Sequence, residues 1–146
     1  MDRREALTTL AAAGLAALAT TPARADEHEH HHHHAGPKYQ ALVDSAQNCL
    51  ATGEACLAHC LELLGQGDKE MASCAQSVNQ MTAMIETLRK LAIVESRLLP
   101  RYAALCAEMC ADCEKECRKH ENKHAECKAC ADACATCQKE CKAIAA

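Results

Sequence analysis

The sequence contains no phenylalanine or tryptophan and only two tyrosines, Tyr39 and Tyr102, among its 146 residues. Small domains ordinarily build their cores from aromatics and branched aliphatics. Isoleucine and valine are scarce here as well, so another side chain must fill the interior. Strand signals are missing too: β-branched residues are few and no alternating apolar run occurs, which excludes a sheet-based fold. After residue 25 no apolar stretch is long enough to span a bilayer. Positive charge is not in excess either. The formal net charge is −4, with Lys and Arg dispersed among Glu, a poor match for nucleic acid.

What is present begins with a leader. MDRREALTTLAAAGLAALATTPARA has a charged start with paired Arg3 and Arg4, an Ala/Leu-rich middle, and the small-residue end Ala23-Arg24-Ala25. That layout predicts a signal peptide over residues 1–25 with cleavage near Asp26. The adjacent arginines and the weakly hydrophobic middle point to the twin-arginine route, hence to the periplasm. Residues 26–36, DEHEHHHHHAG, carry no hydrophobic periodicity and read as a disordered, histidine-rich arm able to collect Cu(II), Ni(II) or Zn(II) loosely.

Residues 37–146 form the domain. Four helical stretches are predicted: Pro37 to about Leu64, Asp68 (as N-cap) to about Val94, Pro100 to about Lys119, and a last one from beyond a polar turn at His120–His124 to about Ala143. Gly65-Gln66-Gly67 and Leu98-Leu99-Pro100 mark the junctions. Four amphipathic helices with short connections predict an all-α, antiparallel four-helix bundle.

Thirteen cysteines run through it, nine of them between residues 106 and 141. On a helical wheel Cys106, Cys110, Cys113 and Cys117 fall within an arc of about 60°. Cys127, Cys130, Cys134, Cys137 and Cys141 span about 80°, and Cys49, Cys56 and Cys60 only about 40°. These stripes occupy the positions where a bundle normally places Leu and Ile. The opposite faces hold Glu114, Lys115, Arg118, Lys128, Asp132, Gln138 and Lys139. A cysteine-lined core is therefore expected. The second helix differs, with Cys74 alone among Met71, Val78, Met81, Ile85 and Leu88. With Leu42 from the first helix, the residues from Met81 to Leu88 predict one apolar, closed end. The other end collects His59, Cys60, Met71, Cys74, Cys117, His120, His124 and Cys127.

A disulfide framework fits poorly: the count is odd, bridges within a helix are geometrically disfavoured, and continuous helix faces are not loop staples. Structural zinc isolates four ligands around one ion, and iron–sulfur clusters need cysteines on wrapping loops. A thiol–disulfide oxidoreductase is a further alternative, but its reactive cysteine is usually exposed at a helix N-terminus, and these CxxC pairs lie mid-helix. Cu(I) is soft and takes thiolates, so two sulfurs can bracket one ion. Cys56/Cys60, Cys106/Cys110, Cys113/Cys117, Cys130/Cys134 and Cys137/Cys141 have the i,i+4 spacing for that. Many such sites imply storage or sequestration of many Cu(I) ions per chain rather than catalysis.

The cysteine stripes, the CLAHC stretch at 56–60, the ECKACADACATCQKEC run beginning at Glu126 and the paired arginines resemble the bacterial copper storage proteins, specifically the exported members of methane-oxidising bacteria. The resemblance implies a bundle protomer in a homotetramer, packed with Cu(I) held for a copper-dependent enzyme such as particulate methane monooxygenase. It also implies an ion-uptake end with a histidine and methionines, which His59 and Met71 match. Leu63 and Gln66 stand where exported relatives can carry methionine, and His120 and His124 are candidates to compensate. Metallothionein-like detoxification of soft metals is the alternative the residues leave open. Met81 and Met84 read as packing at the apolar end, Met109 as peripheral, and Glu121-x-x-His124 as a solvated turn.

Overall fold

The computed structural model describes residues 38–145. The leader, the histidine-rich arm and Pro37 lie outside the described residues. Four α-helices make up this region: α1 (Gln40–Gly65), α2 (Ala72–Ile93), α3 (Leu99–Arg118) and α4 (Ala125–Ala145). Among the described residues there is no strand.

The boundaries follow local chemistry. Gly67 adopts a positive φ of 96°, the left-handed conformation that closes the chain after α1 without steric penalty. Asp68 then caps, its carboxylate accepting from the Glu70 backbone N–H at 3.1 Å. The turn it starts is a short 3-10 segment, Lys69–Met71, rather than the first turn of an α-helix as the sequence predicts. Tighter turns of this kind are common at helix starts. Pro100 sits in the first turn of α3, where its missing N–H costs nothing. The turn between α3 and α4 lies at 119–124, with His124 N–H bonded back to the His120 carbonyl at 3.0 Å.

Helix α1 packs on α2 and α4, and α3 packs on α2 and α4, so the four helices enclose one antiparallel core. That core has two compositions. Leu42, Ile85, Leu88 and Leu99 are fully buried at one end, and all thirteen cysteines are fully buried along the rest. Charged side chains lie outside: the Arg118 guanidinium donates to Glu121 at 2.7 Å, to Asp132 at 2.7 Å and to Glu114 at 3.2 Å, tying α3, the turn and α4 together.

Candidate metal centre

The thirteen thiols are all free. Helical periodicity puts each set on one face, and the antiparallel packing turns the four faces toward a common axis. Facing sulfurs then meet across helices: Cys74 and Cys117 at 3.6 Å, Cys56 and Cys127 at 3.8 Å, Cys49 and Cys134 at 3.8 Å.

Four groups have their sulfurs within 4.8 Å of one another: Cys56/Cys60/Cys74/Cys127, Cys56/Cys117/Cys130, Cys113/Cys130/Cys134 and Cys49/Cys110/Cys137. The first three share Cys56 and Cys130, and the contact between Cys49 and Cys134 joins the fourth. The result is a connected column of sulfur running from the turn between α1 and α2 toward the apolar end. Of the i,i+4 pairs expected from the sequence, Cys56/Cys60 and Cys130/Cys134 fall within a group, whereas Cys106/Cys110, Cys113/Cys117 and Cys137/Cys141 do not share one. Each group draws on at least two helices. Cys106 and Cys141 are buried but belong to no group of three.

Close thiols cannot all ionise together, so they sort into proton donors and thiolates. The Cys74 thiol is pulled down to about 4, chiefly because Cys117 donates to it. Cys130 also lies far below the ordinary thiol range, chiefly through donation by Cys113 and then Cys117. Cys56 and Cys134 move upward as their hydrogen-bond partners, Cys117 and Cys110 first among them, hold the proton on. At the apolar end burial pushes Cys106 up to about 12. Cys137, nearer the apolar end, is also pulled well down, chiefly by donation from Cys110, so the thiolate character is spread along the column.

At the end bearing the turns His59 Nε2 lies 2.9 Å from His124 Nδ1, one nitrogen donating and the other accepting according to tautomer. Glu126 stands 3.7 Å from the same His59 nitrogen, and His59 remains 23% exposed. His120 stacks obliquely on His124 with ring centroids 6.5 Å apart. His124 is therefore not the solvated turn residue expected from Glu121-x-x-His124. Its ring faces α1 while Glu121 faces Arg118. Met71 is fully buried at the start of the α2 segment, whereas Leu63 is half-buried and Gln66 exposed. One contact had no counterpart in the sequence reading: the Met81 sulfur lies 3.4 Å from Cys49 Sγ. The signal was available, because Met81 follows Cys74 by two turns on α2 as Cys49 precedes Cys56 by two turns on antiparallel α1.

Comparison with known proteins agrees with this geometry. Among solved structures, the chain is similar to apo copper storage protein 3 from Bacillus subtilis, with 30% identity, a TM-score of 0.65, and coverage of 73% of this chain and 98% of that one. It is equally similar to the Cu(I)-bound copper storage protein BsCsp3, at 30% identity and a TM-score of 0.68, covering 75% of this chain and 100% of that one. No curated protein sequence matches it. The family model described as copper storage protein matches residues 35–146, the whole of the bundle, and the chain belongs to that family.

Proposed function

We propose that this protein stores copper, holding many Cu(I) ions per chain on the thiolates of its core. The observation that carries the reading is the continuity of the sulfur column. Four overlapping or touching groups allow neighbouring ions to share ligands, whereas a chaperone or an enzyme needs a single centre. The Cu(I)-bound relative of the same fold supports it. Each ion that replaces thiol protons also cancels thiolate charge that would otherwise be buried at high cost. All thirteen cysteines are assigned as ligands, with His59 and Met71 as uptake ligands at the end where the sulfur column meets the turns. His124, hydrogen-bonded to His59, orients that ring.

Anaerobic titration of the reduced protein with Cu(I) against a competing chromophoric ligand tests the reading. A stoichiometry near the number of cysteines is expected; saturation at one or two ions would sink it. His59→Ala is expected to slow Cu(I) uptake while leaving the final stoichiometry unchanged, and equal uptake rates would remove His59 from the uptake role.

Four finer properties go with copper storage. The role is storage without catalysis, and the absence of turnover in a disulfide-reduction assay checks it. Export by the twin-arginine route rests on residues 1–25, and cell fractionation of the chain with Arg3 and Arg4 replaced by Lys checks it: the variant is expected to stay in the cytoplasm. Assembly into a homotetramer is supported by the apolar surface where Leu98 and Leu105, both exposed, flank Tyr102. Light scattering on Leu105→Glu against the parent chain checks it. A recipient copper enzyme follows from the storage role, and Cu(I) transfer to an apo copper enzyme in a two-component assay is its measurement.

A further inference from the structure

Helix α2 brings only one thiol, Cys74, to a core in which every other helix brings three or more. Its next sulfur, two turns along, is the thioether of Met81, fully buried. In the antiparallel register Cys56 of α1 meets Cys74 of α2 in one sulfur group. Two turns further toward the apolar end, Cys49 of α1 meets Met81 of α2, sulfur to sulfur, at 3.4 Å. Cys49 is also a member of the group with Cys110 and Cys137 and touches Cys134 at 3.8 Å.

The orientation of Met81 is set by a missing side chain. A Cβ placed on Gly53 would lie 2.7 Å from the Met81 methyl carbon and 2.9 Å from Thr82 Cγ2. Glycine at this position lets the methyl tuck against the α1 backbone, which leaves the sulfur beside Cys49. The conformer that this pocket selects presents the soft sulfur, rather than the methyl, to the Cys49 thiol.

We propose that Met81 is a copper ligand, its thioether joining the thiolate of Cys49, with Cys110 and Cys137 adjacent, in a mixed thioether–thiolate Cu(I) site in the part of the sulfur column nearer the apolar end. The assignment rests on the copper-storage reading. Thioethers, like thiolates, are soft donors that select Cu(I). They differ in charge. One Cu(I) held by one thiolate and one thioether is neutral, the Cys49 proton having left to solvent, whereas two thiolates leave a buried negative charge. Met81 is followed on its stripe by Ile85 and Leu88, both fully buried, and hydrocarbon surroundings favour the neutral site. The thioether is thus the last sulfur that α2 contributes before its buried stripe turns to hydrocarbon.

The test uses the full chain labelled with selenomethionine and carrying Met71→Leu, Met84→Leu and Met109→Leu, so that Met81 is the one labelled residue besides Met1. After anaerobic loading with Cu(I), selenium-edge X-ray absorption is expected to show a copper scatterer at bonding distance, and this signal is expected to vanish when Met81→Leu is added. If the triple substitution impairs folding, the unsubstituted chain and its single Met81→Leu variant, a volume-conserving change, give the same answer as a difference spectrum. A chain that takes up many Cu(I) ions without copper near selenium overturns the Met81 site and leaves storage intact. A chain that saturates at one or two ions overturns storage and this site with it.

Discussion

The two ends of the bundle are built on one backbone plan from opposite materials. At the end bearing the turns α1–α2 and α3–α4, the interior is sulfur, with the His59–His124 pair beside it. At the other, Leu42, Ile85, Leu88 and Leu99 pack as in any helical bundle. The difference separates two tasks that a single core usually performs together. Hydrocarbon burial is favourable in proportion to area, and the apolar end supplies it whether or not metal is present. A thiol buries less hydrocarbon than a leucine, and the sulfur end adds to its cohesion when ions bridge its facing sulfurs. One end keeps the helices together and the other takes up the cargo.

The largest expected effect tests that division directly. Filling the sulfur end with Cu(I) should raise the anaerobic melting temperature strongly, because a ligand present at a thousand times its dissociation constant adds about 4 kcal/mol for each independent site. Circular dichroism during heating of apo and loaded protein measures it, and coincident melting curves would refute the division. Removing the metal with a strong Cu(I) chelator should return the curve to the apo position.

Next come paired substitutions, one at each end. Leu88→Ala should cost about 2–5 kcal/mol of apo stability by denaturant titration, as large-to-small changes in a packed core do. Its Cu(I) capacity per folded chain should be unchanged. Cys134→Ser, in the middle of the column, should do the reverse, lowering Cu(I) capacity with a smaller change in apo stability. If Leu88→Ala lowers capacity as much as Cys134→Ser, the two ends are not separable.

Gly53→Ala probes the boundary between them. The added methyl meets Met81 and Thr82 at distances real Cβ atoms do not show, so the helices must part or the side chains move. A cost of about 1–3 kcal/mol is expected from overpacking, measured by urea denaturation of the apo protein. An unchanged midpoint would show that Met81 and Thr82 yield without resistance.

A titration at the sulfur end is read as a change in absorbance. Cys74 is pulled down to about 4 in the fold, against an unfolded thiol near ~8.5. A depressed thiol contributes stability that is full above the unfolded value and is lost as pH falls through the folded one. The apo protein should therefore lose this contribution progressively between about pH 8.5 and about pH 4. Thiolate absorbance near 240 nm should persist below neutral pH in the parent and be diminished in Cys74→Ser. Equal absorbance in the two would place the thiolate elsewhere.

Much of this was legible in the chain. The stripes at gaps of three and four place Cys106–Cys117 and Cys127–Cys141 on helix faces, and the polar His120–His124 segment marks the turn between them, because helical periodicity is a local property. The capping role of Asp68 and the place of Pro100 in the first turn of α3 were readable for the same reason. Less legible were the partners. Spacing along one helix suggested i,i+4 pairs such as Cys113/Cys117, whereas the structure groups Cys113 with Cys130 and Cys134 from α4. Which sulfur faces which depends on helix register and rotation, and these are set by packing of all four helices at once. His124 was placed by its sequence at the ligand-rich end, but its hydrogen bond to His59 of α1, distant in sequence, was not readable there.

Composition and periodicity alone determined that the chain is an all-helical bundle, that its thiols point inward, and that soft metal in quantity suits them. These follow from residue type and from a 3.6-residue repeat, which needs no knowledge of neighbours. Only the tertiary structure decided how separate stripes join into one column, that a histidine of the last turn meets one of the first helix, and that Gly53 leaves the Met81 sulfur against Cys49. Such contacts arise between residues far apart in the chain, where a shift of an ångström in helix packing changes the partner and no local pattern records it.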